Sequence, residues 1–367
     1  MIATADAATA SLPDLVGMLP EEAGEALRAH FTSRGQPTYR AGQVVRWLYE
    51  RGAASFAEMT DLPQGERSAL AESFSLTAPE AARVSRSVDG TAKHLWRLAD
   101  GELIESVLIP TATRLTLCIS SQAGCAMACT FCATGWAGYR RQLTAGEIVA
   151  QFRGARRWAQ ENGYEDVTNI VFMGMGEPLM NPKAVFPTLS ILNQGYRFGA
   201  RRITISTVGV VPGILRMAEL PEQYRLAVSL HAPNHELRQR LIPLEKKYPL
   251  PELLEALRRF DAAGGKRITF EYVMIDAVTD APELADELGR VVREFTAFVN
   301  LIPFNPIPGS DWKPSKRARL DYFVERLGRG GVTAYVRESR GSDIAAACGQ
   351  LRAEATKGRA PVQMGSI

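Results

Sequence analysis

The chain has 367 residues, an apolar fraction of 46%, a charged fraction of 23% and a net charge of +3. That length admits two or three domains, or one large α/β domain with extensions, and the composition is that of a globular protein rather than a disordered or fibrous one. No run of 18 apolar residues occurs and residues 1–13 lack the basic-then-apolar pattern of a secretory leader, so no membrane span and a cytoplasmic location are expected.

In that compartment clustered cysteines read as metal ligands or reactive thiols rather than structural disulfides. Residues 1–90 carry 12 acidic side chains against 8 arginines, so the remainder holds the positive excess. A surplus of that size permits a polyanionic partner without demanding one.

Residues 14–76 read as a small helical module. Apolar residues recur at helical spacing over 21–31, 41–49 and 66–74, separated by turn signals at Gly35-Gln36-Pro37 and Leu62-Pro63-Gln64-Gly65. Arg40, Arg46 and Arg51 cluster with Trp47 and Tyr49, which suits either a nucleic-acid-facing surface or an ordinary solvated basic face. From 82 to 110 the pattern changes to three strands, 82–88, 93–99 and 103–109, with hairpin signals at Asp89-Gly90 and Asp100-Gly101. The last of these carries Glu105 and leads towards a cysteine-rich stretch.

From Arg114 onward strands alternate with helices. Strands are expected at 115–120, 169–173, 202–207, 226–230, 268–275, 299–303 and 332–337. Helices are expected between them, the first opening on a Thr144/Glu147 capping box and running to about residue 160. The last strand is followed by 343–353, and the final dozen residues read as a basic tail. Repeated βα units imply a parallel sheet, open or closed into a barrel.

The most informative stretch is Cys125-Ala126-Met127-Ala128-Cys129-Thr130-Phe131-Cys132, with three thiols spaced C-x3-C-x2-C. A structural zinc site wants four ligands, usually as two separated pairs, and no second C-x2-C follows. A catalytic zinc site typically uses His or carboxylate, and neither is adjacent. A ferredoxin-type cluster needs four cysteines. Three thiolates on one loop suit a 4Fe–4S cluster whose fourth iron stays open to a substrate or cofactor. Later strands end in short polar or bonding-competent residues: Gly174-Met175-Gly176-Glu177-Pro178, then Ser206, then Ser229-Leu230-His231, then Asn305. Pro178 and the absence of a third glycine argue against a dinucleotide fingerprint in the first. Taken one at a time these residues are weak signals, but together they outline a site at a barrel mouth.

The cysteine loop, with an aromatic before its last cysteine, resembles the radical S-adenosylmethionine superfamily. In detail the chain resembles the RlmN/Cfr family of RNA methyltransferases, and the RlmN branch most, from about Leu12 to Cys348. The resemblance is carried by Gln122 to Cys125, Phe131 to Gly135, Gly174 to Asn181, Ser229 to Asn234, Asn300 to Pro306 and Arg340 to Leu351. Phe304 stands where the family pattern has Trp.

The resemblance implies a partial (β/α)6 barrel with a small helical N-terminal domain and a C-terminal extension. The corresponding boundaries are a helical RNA-contact domain at 1–80, a β-hairpin linker at 81–113, the barrel at 114–330, and the extension carrying Cys348 at 331–367. It implies a 4Fe–4S cluster on Cys125, Cys129 and Cys132. S-adenosylmethionine would be held by Gly176, Glu177, Ser206, Ser229, Leu230, His231 and Asn305. It implies methylation of adenosine carbon 2 in 23S rRNA and tRNA. Cys348 would carry a methyl group, Glu105 would take the ring proton (with Glu102 the alternative base), and Cys118 would form a disulfide with Cys348. Without the resemblance Cys118 reads as a core thiol and Cys348 as a buried helix residue.

The same resemblance makes Arg140, Arg141, Arg153, Arg156 and Arg157 candidate RNA contacts. It further implies an electron donor such as flavodoxin, and a monomer. Two other readings stay open: a Cfr-like enzyme that methylates carbon 8 of the same adenine, and a non-catalytic metal-containing RNA-binding protein.

Overall fold

The structure is a computed structural model that describes residues 12–352. The tails read at 1–11 and 353–367 lie outside the described residues.

The chain begins with α1 (Pro20–Ser33), α2 (Tyr39–Tyr49) and α3 (Gln64–Ser73). Their apolar stripes meet: Leu27, Phe31, Val44, Leu48 and Leu70 are buried in one cluster, joined by Val149 and Ile191 from the helices that follow. Each such side chain contributes about 1.5–3 kcal/mol of burial, so the module is fastened to the main body by shared core as well as by polar contacts.

Next come β1 (Glu80–Arg86), β2 (Ala92–Arg97) and β3 (Leu103–Pro110), an antiparallel meander. Residues 81–113 are not a linker, because β3 pairs antiparallel with β4 (Leu115–Cys118), placing Val107 opposite Cys118. A small antiparallel pair follows, β5 (Gln122–Gly124) and β6 (Tyr139–Gln142), with the cysteine loop and α4 (Ala133–Ala137) between them. These elements are three to five residues long, too short to give a periodic signal in the sequence.

The expected βα alternation then runs α5 (Ala145–Glu161), β7 (Asn169–Phe172), α6 (Pro182–Ser190), β8 (Ile203–Thr207), α7 (Val211–Glu219) and β9 (Arg225–Ser229). It continues through α8 (His235–Leu241), α9 (Leu250–Ala262), β10 (Ile268–Met274), α10 (Pro282–Val292), β11 (Ala297–Pro303), α11 (Arg317–Arg329) and β12 (Ala334–Val336). The capping box is formed: Glu147 N–H donates to Thr144 Oγ1 at 3.1 Å and Thr144 N–H donates to Glu147 Oε2 at 2.9 Å.

The sheet order is β1-β2-β3-β4-β7-β8-β9-β10-β11-β12. Within this sheet all pairs from β4 through β7 to β12 are parallel. Strands β4, β7, β8, β9, β10 and β11 form the six-stranded partial barrel, and β12 adds a seventh parallel strand on the β11 edge. Ile203, Ile205, Leu226, Val228, Ile268 and Phe270 are fully buried between sheet and helices, as parallel strands covered on both faces require. After β12 the chain makes one 3-10 turn, Ser342–Ile344, and then continues without a helix to residue 352. Cys348 therefore lies on a non-helical strap. No helix of the described residues is long and apolar enough to cross a membrane.

Candidate active site

The cysteine loop is clamped from two sides. Thr130 N–H donates to the Leu241 carbonyl at 3.1 Å, tying the loop to the end of α8. Ala133 N–H donates to the Gly349 carbonyl at 2.7 Å, and Thr134 Oγ1 donates to the Leu351 carbonyl at 2.6 Å. The loop and the strap carrying Cys348 are thus bonded to each other directly.

One cavity at the C-terminal ends of the barrel strands collects most of the expected residues. Cys125, Cys129, Cys132, Gly176, Glu177, Ser206, Ser229, His231, Asn305 and Cys348 all border it. Burial pushes the Cys125 thiol up to about 12 and the Cys129 thiol well above its ordinary value. Neutral thiols held so deeply need the charge of a metal to become thiolates. Among the described residues no three His, Cys, Asp or Glu side chains converge as a single-ion site. The three thiols instead border the same cavity, which suits a multi-iron cluster.

Glu177 has its carboxylate buried and fixed. Oε1 accepts from Leu179 N–H at 3.1 Å and Oε2 from Val208 N–H at 2.9 Å. Desolvation raises its pKa to about 7, so a cation arriving in the cavity would favour the ionised carboxylate. Gly176 just before it has φ +98°, and a Cβ there would stand 2.5 Å from Gln122 Cβ. Only glycine allows the backbone to lie this close to β5.

His231 is a cavity-wall residue of fixed tautomer. Its Nδ1 accepts from Val273 N–H at 3.0 Å, which leaves the proton on Nε2, and its ring meets Phe131 edge-on at 4.5 Å. Burial and nearby Arg238 lower its pKa to about 3, so the ring is neutral. Asn305 connects the end of β11 to the strap, donating from Nδ2 to the Cys348 carbonyl at 3.0 Å.

Three expected residues lie elsewhere. The Leu230 side chain is fully buried in the main core, so only its backbone is available to a ligand. Cys118 borders a second cavity of about 500 Å³, shared with Cys348 and Asn305. Burial, reinforced by Cys348, pushes its thiol up to about 12. Glu105 borders neither cavity. It is fully buried and ion-paired with Lys93 at 3.0 Å. All five cysteines are free thiols in this structure, so the expected Cys118–Cys348 disulfide is not formed.

Two cavity-wall residues went unread in the sequence, Arg337 and Glu271. Their signal was positional: Arg337 directly follows a seventh parallel strand, and Glu271 is level with Ser229 and Asn300 across the sheet. The arginines read as RNA contacts are largely committed inside the protein. Arg153 Nη1 donates to the Leu48 carbonyl at 2.9 Å and to Tyr196 Oη at 2.8 Å. Arg157 pairs with Glu58 at 3.1 Å, Arg156 with Asp166 at 2.6 Å, and Arg141 with Glu147 at 2.8 Å. Just beyond α2, Arg51 lies over the Trp47 ring at 4.3 Å.

A partial parallel barrel with three cysteines on the loop after its first strand and a glycine–glutamate element after its second defines a radical S-adenosylmethionine enzyme. The model of that superfamily matches residues 119–288, and the model of the ribosomal RNA large subunit methyltransferase N-terminal domain matches residues 19–76. The chain is 51% identical over 353 residues to the probable dual-specificity RNA methyltransferase RlmN of Gemmatimonas aurantiaca, covering 96% of each chain. It is 47% identical to the dual-specificity RNA methyltransferase RlmN of Anaeromyxobacter dehalogenans, covering 94% of this chain and 93% of the other. A crystal structure of a radical SAM methyltransferase from Sphaerobacter thermophilus superposes with a TM-score of 0.89 at 47% identity, covering 93% of this chain and all of that one. The chain belongs to the RlmN family of radical S-adenosylmethionine RNA methyltransferases. It is accordingly an enzyme that takes a 4Fe–4S cluster and S-adenosylmethionine, and the reading as a non-catalytic binding protein falls away.

Proposed function

We propose that the chain methylates carbon 2 of adenosine in 23S rRNA and in tRNA through a methyl group carried on Cys348. The observation that supports this reading is the placement of Cys348. It borders the cavity of the cysteine loop and also the cavity of Cys118, so one sulfur serves both.

In this reading Cys125, Cys129 and Cys132 would hold the 4Fe–4S cluster. Glu177 and the backbone at Gly176 receive the ammonium of S-adenosylmethionine, and Ser206, Ser229, His231, Asn305 and the Leu230 backbone bound the rest. When bound, cluster and cofactor supply a 5′-deoxyadenosyl radical, with the electron coming from a donor such as flavodoxin. The chain's residues do the remainder. The Cys348 sulfur holds the one-carbon unit against an unstacked base. Glu105 accepts the ring proton, after rotating away from Lys93. Cys118 attacks the Cys348 sulfur and releases the product as a disulfide forms.

The test is Cys348→Ala in anaerobically reconstituted enzyme. 5′-Deoxyadenosine should still form while methyladenosine in rRNA and tRNA disappears. Methyladenosine accumulating at the normal rate would remove Cys348 from the carrier role. Mass spectrometry of the wild-type product separates 2-methyl from 8-methyl isomers, and the 8-methyl isomer would move the enzyme to the Cfr-like reading.

A further inference from the structure

Arg337 directly follows β12, and its side chain borders both cavities, the one with the cysteine loop and the one with Cys118. It is weakly committed to its neighbours. The nearest carboxylate oxygen is Glu271 Oε2 at 3.9 Å, an ion-pair separation too long for a hydrogen bond. Its Nη1 also reaches Met173 Sδ at 3.8 Å, a weak acceptor. The side chain is 31% exposed. Glu271 is held on its other oxygen by Asn300 Nδ2 at 3.0 Å. Guanidinium donors therefore remain for whatever occupies the two cavities.

The other charges around this space are already used or distant. Lys93, on the neighbouring strands, pairs with Glu105 at 3.0 Å and donates to the Ala345 carbonyl at 3.0 Å. Arg340 and Glu338 pair with each other at 3.6 Å. Arg114 borders the second cavity but lies four residues from Cys118, roughly 13 Å along an extended strand. Among the described residues, Arg337 is the cation that borders both cavities. Its guanidinium is held charged, by Cys348 most strongly, with Glu271 and Cys118 adding.

Under the proposed function both thiols must react as thiolates, at different steps. First the Cys348 sulfur, its proton lost to water, bonds the donor's methyl carbon as the donor's own carbon–sulfur bond breaks. Last, the Cys118 thiolate bonds the Cys348 sulfur as the bond from that sulfur to the methylene breaks. The bonding pair goes to the methylene carbon, which then takes a proton. A thiol in place of either thiolate is a poor nucleophile.

We propose that Arg337 is a positioning residue that holds Cys348 in the thiolate form, with Glu271 limiting the positive charge it presents. This rests on the methyl-carrier reading of Cys348, and the experiment separates the two. Anaerobically purified full-length holoenzyme is treated with iodoacetamide across a pH series. Alkylation of the unmethylated fraction of Cys348 is then followed by peptide mass spectrometry.

Arg337→Gln should move the midpoint upward and slow alkylation at pH 7 about tenfold, the effect of one pKa unit. Arg337→Lys should recover most of that loss. Glu271→Gln should move the midpoint the other way, a change of sign that a packing defect does not produce. It also carries the test should Arg337→Gln fold poorly. An unchanged midpoint in Arg337→Gln overturns the proposal. If RNA affinity and its salt dependence fall instead, the guanidinium serves a phosphate. The underlying reading fails separately, if labelled S-adenosylmethionine leaves no methyl on wild-type Cys348, while the alkylation profile still decides the role of Arg337.

Discussion

Asn305 Nδ2 donates to the carbonyl of Cys348 at 3.0 Å, and Asn305 Oδ1 accepts from Ser339 Oγ at 2.7 Å. One carboxamide just after β11 thus ties the strap at Cys348 to the chain that leads into it at Ser339. Each such bond is worth about 1 kcal/mol net, which matters for a segment with no helix of its own. Asn305→Ala should raise hydrogen exchange at residues 345–350 and slow RNA methylation by about tenfold, the rate equivalent of roughly 1.4 kcal/mol. The iron content should stay normal, since the cysteine loop keeps its own clamps. Exchange in the strap that matches wild type would show that Asn305 acts on the cofactor alone.

The helical module makes a different prediction from the one its arginines suggested. Arg153 joins it to the barrel through the Leu48 and Ala53 carbonyls of the module and Tyr196 of the barrel. Charge-assisted bonds of this kind contribute about 1.5–3 kcal/mol each. Arg153→Met should therefore loosen the module, read as earlier proteolysis near residues 50–60 and a lower melting temperature. The salt dependence of RNA binding should be nearly unchanged, because a guanidinium bonded inside the protein neutralises no phosphate. A salt slope reduced by about one, with stability intact, would return Arg153 to the RNA surface.

How much of this was legible in the sequence depended on the range of the interaction. The barrel strands and helices were readable because Ile203, Ile205, Leu226 and Val228 report burial through local spacing. The Thr144/Glu147 cap spans only four residues, so it too is legible locally. The meander at 80–110 was read correctly as strands but wrongly as a linker. Pairing of β3 with β4 joins segments whose contact leaves no mark in either one. The strap failed for the same reason. Three alanines before Cys348 favour a helix locally, whereas Asn305, Ala133, Thr134 and Lys93 hold the segment non-helical from distant parts of the chain. Arg337 shows the limit for the site. Nothing in its neighbouring residues sets it apart from a surface arginine, and only the position of β12 beside β11 turns it to the cavities.

Gly176 gives a sharp test of the cofactor wall. Its φ is +98° and an added Cβ would meet Gln122 Cβ at 2.5 Å and Gln122 N at 2.8 Å. The second contact is backbone, so rotamer changes cannot relieve it. Gly176→Ala should shift the segment after β7 that presents Glu177, whose N–H donates to Gln122 Oε1 at 2.9 Å. The expected outcome is a folded protein whose affinity for S-adenosylmethionine falls at least about tenfold, equivalent to 1.4 kcal/mol. Calorimetric titration checks it, and wild-type affinity would place the cofactor elsewhere on the wall.

His94 contributes to the acid sensitivity of the fold. It is fully buried on β2, stacked on Trp96 at 5.0 Å and edge-on to Trp158 at 4.8 Å. Neither ring nitrogen has a hydrogen-bond partner. Burial lowers its pKa to about 4 from an unfolded value of 6.5. The sign follows from proton uptake. Above pH 6.5 both states are neutral at this site and stability is unaffected. As pH falls towards 4 the unfolded chain binds a proton that the folded chain does not, so stability is lost across that window. By pH 5 the loss is about 2 kcal/mol. His94→Phe keeps a flat ring between the tryptophans and removes the titration. Its urea midpoint should therefore fall less than that of wild type between pH 7.5 and pH 5, by an amount corresponding to about 2 kcal/mol. Equal falls in the two proteins would mean that other buried groups control the acid transition.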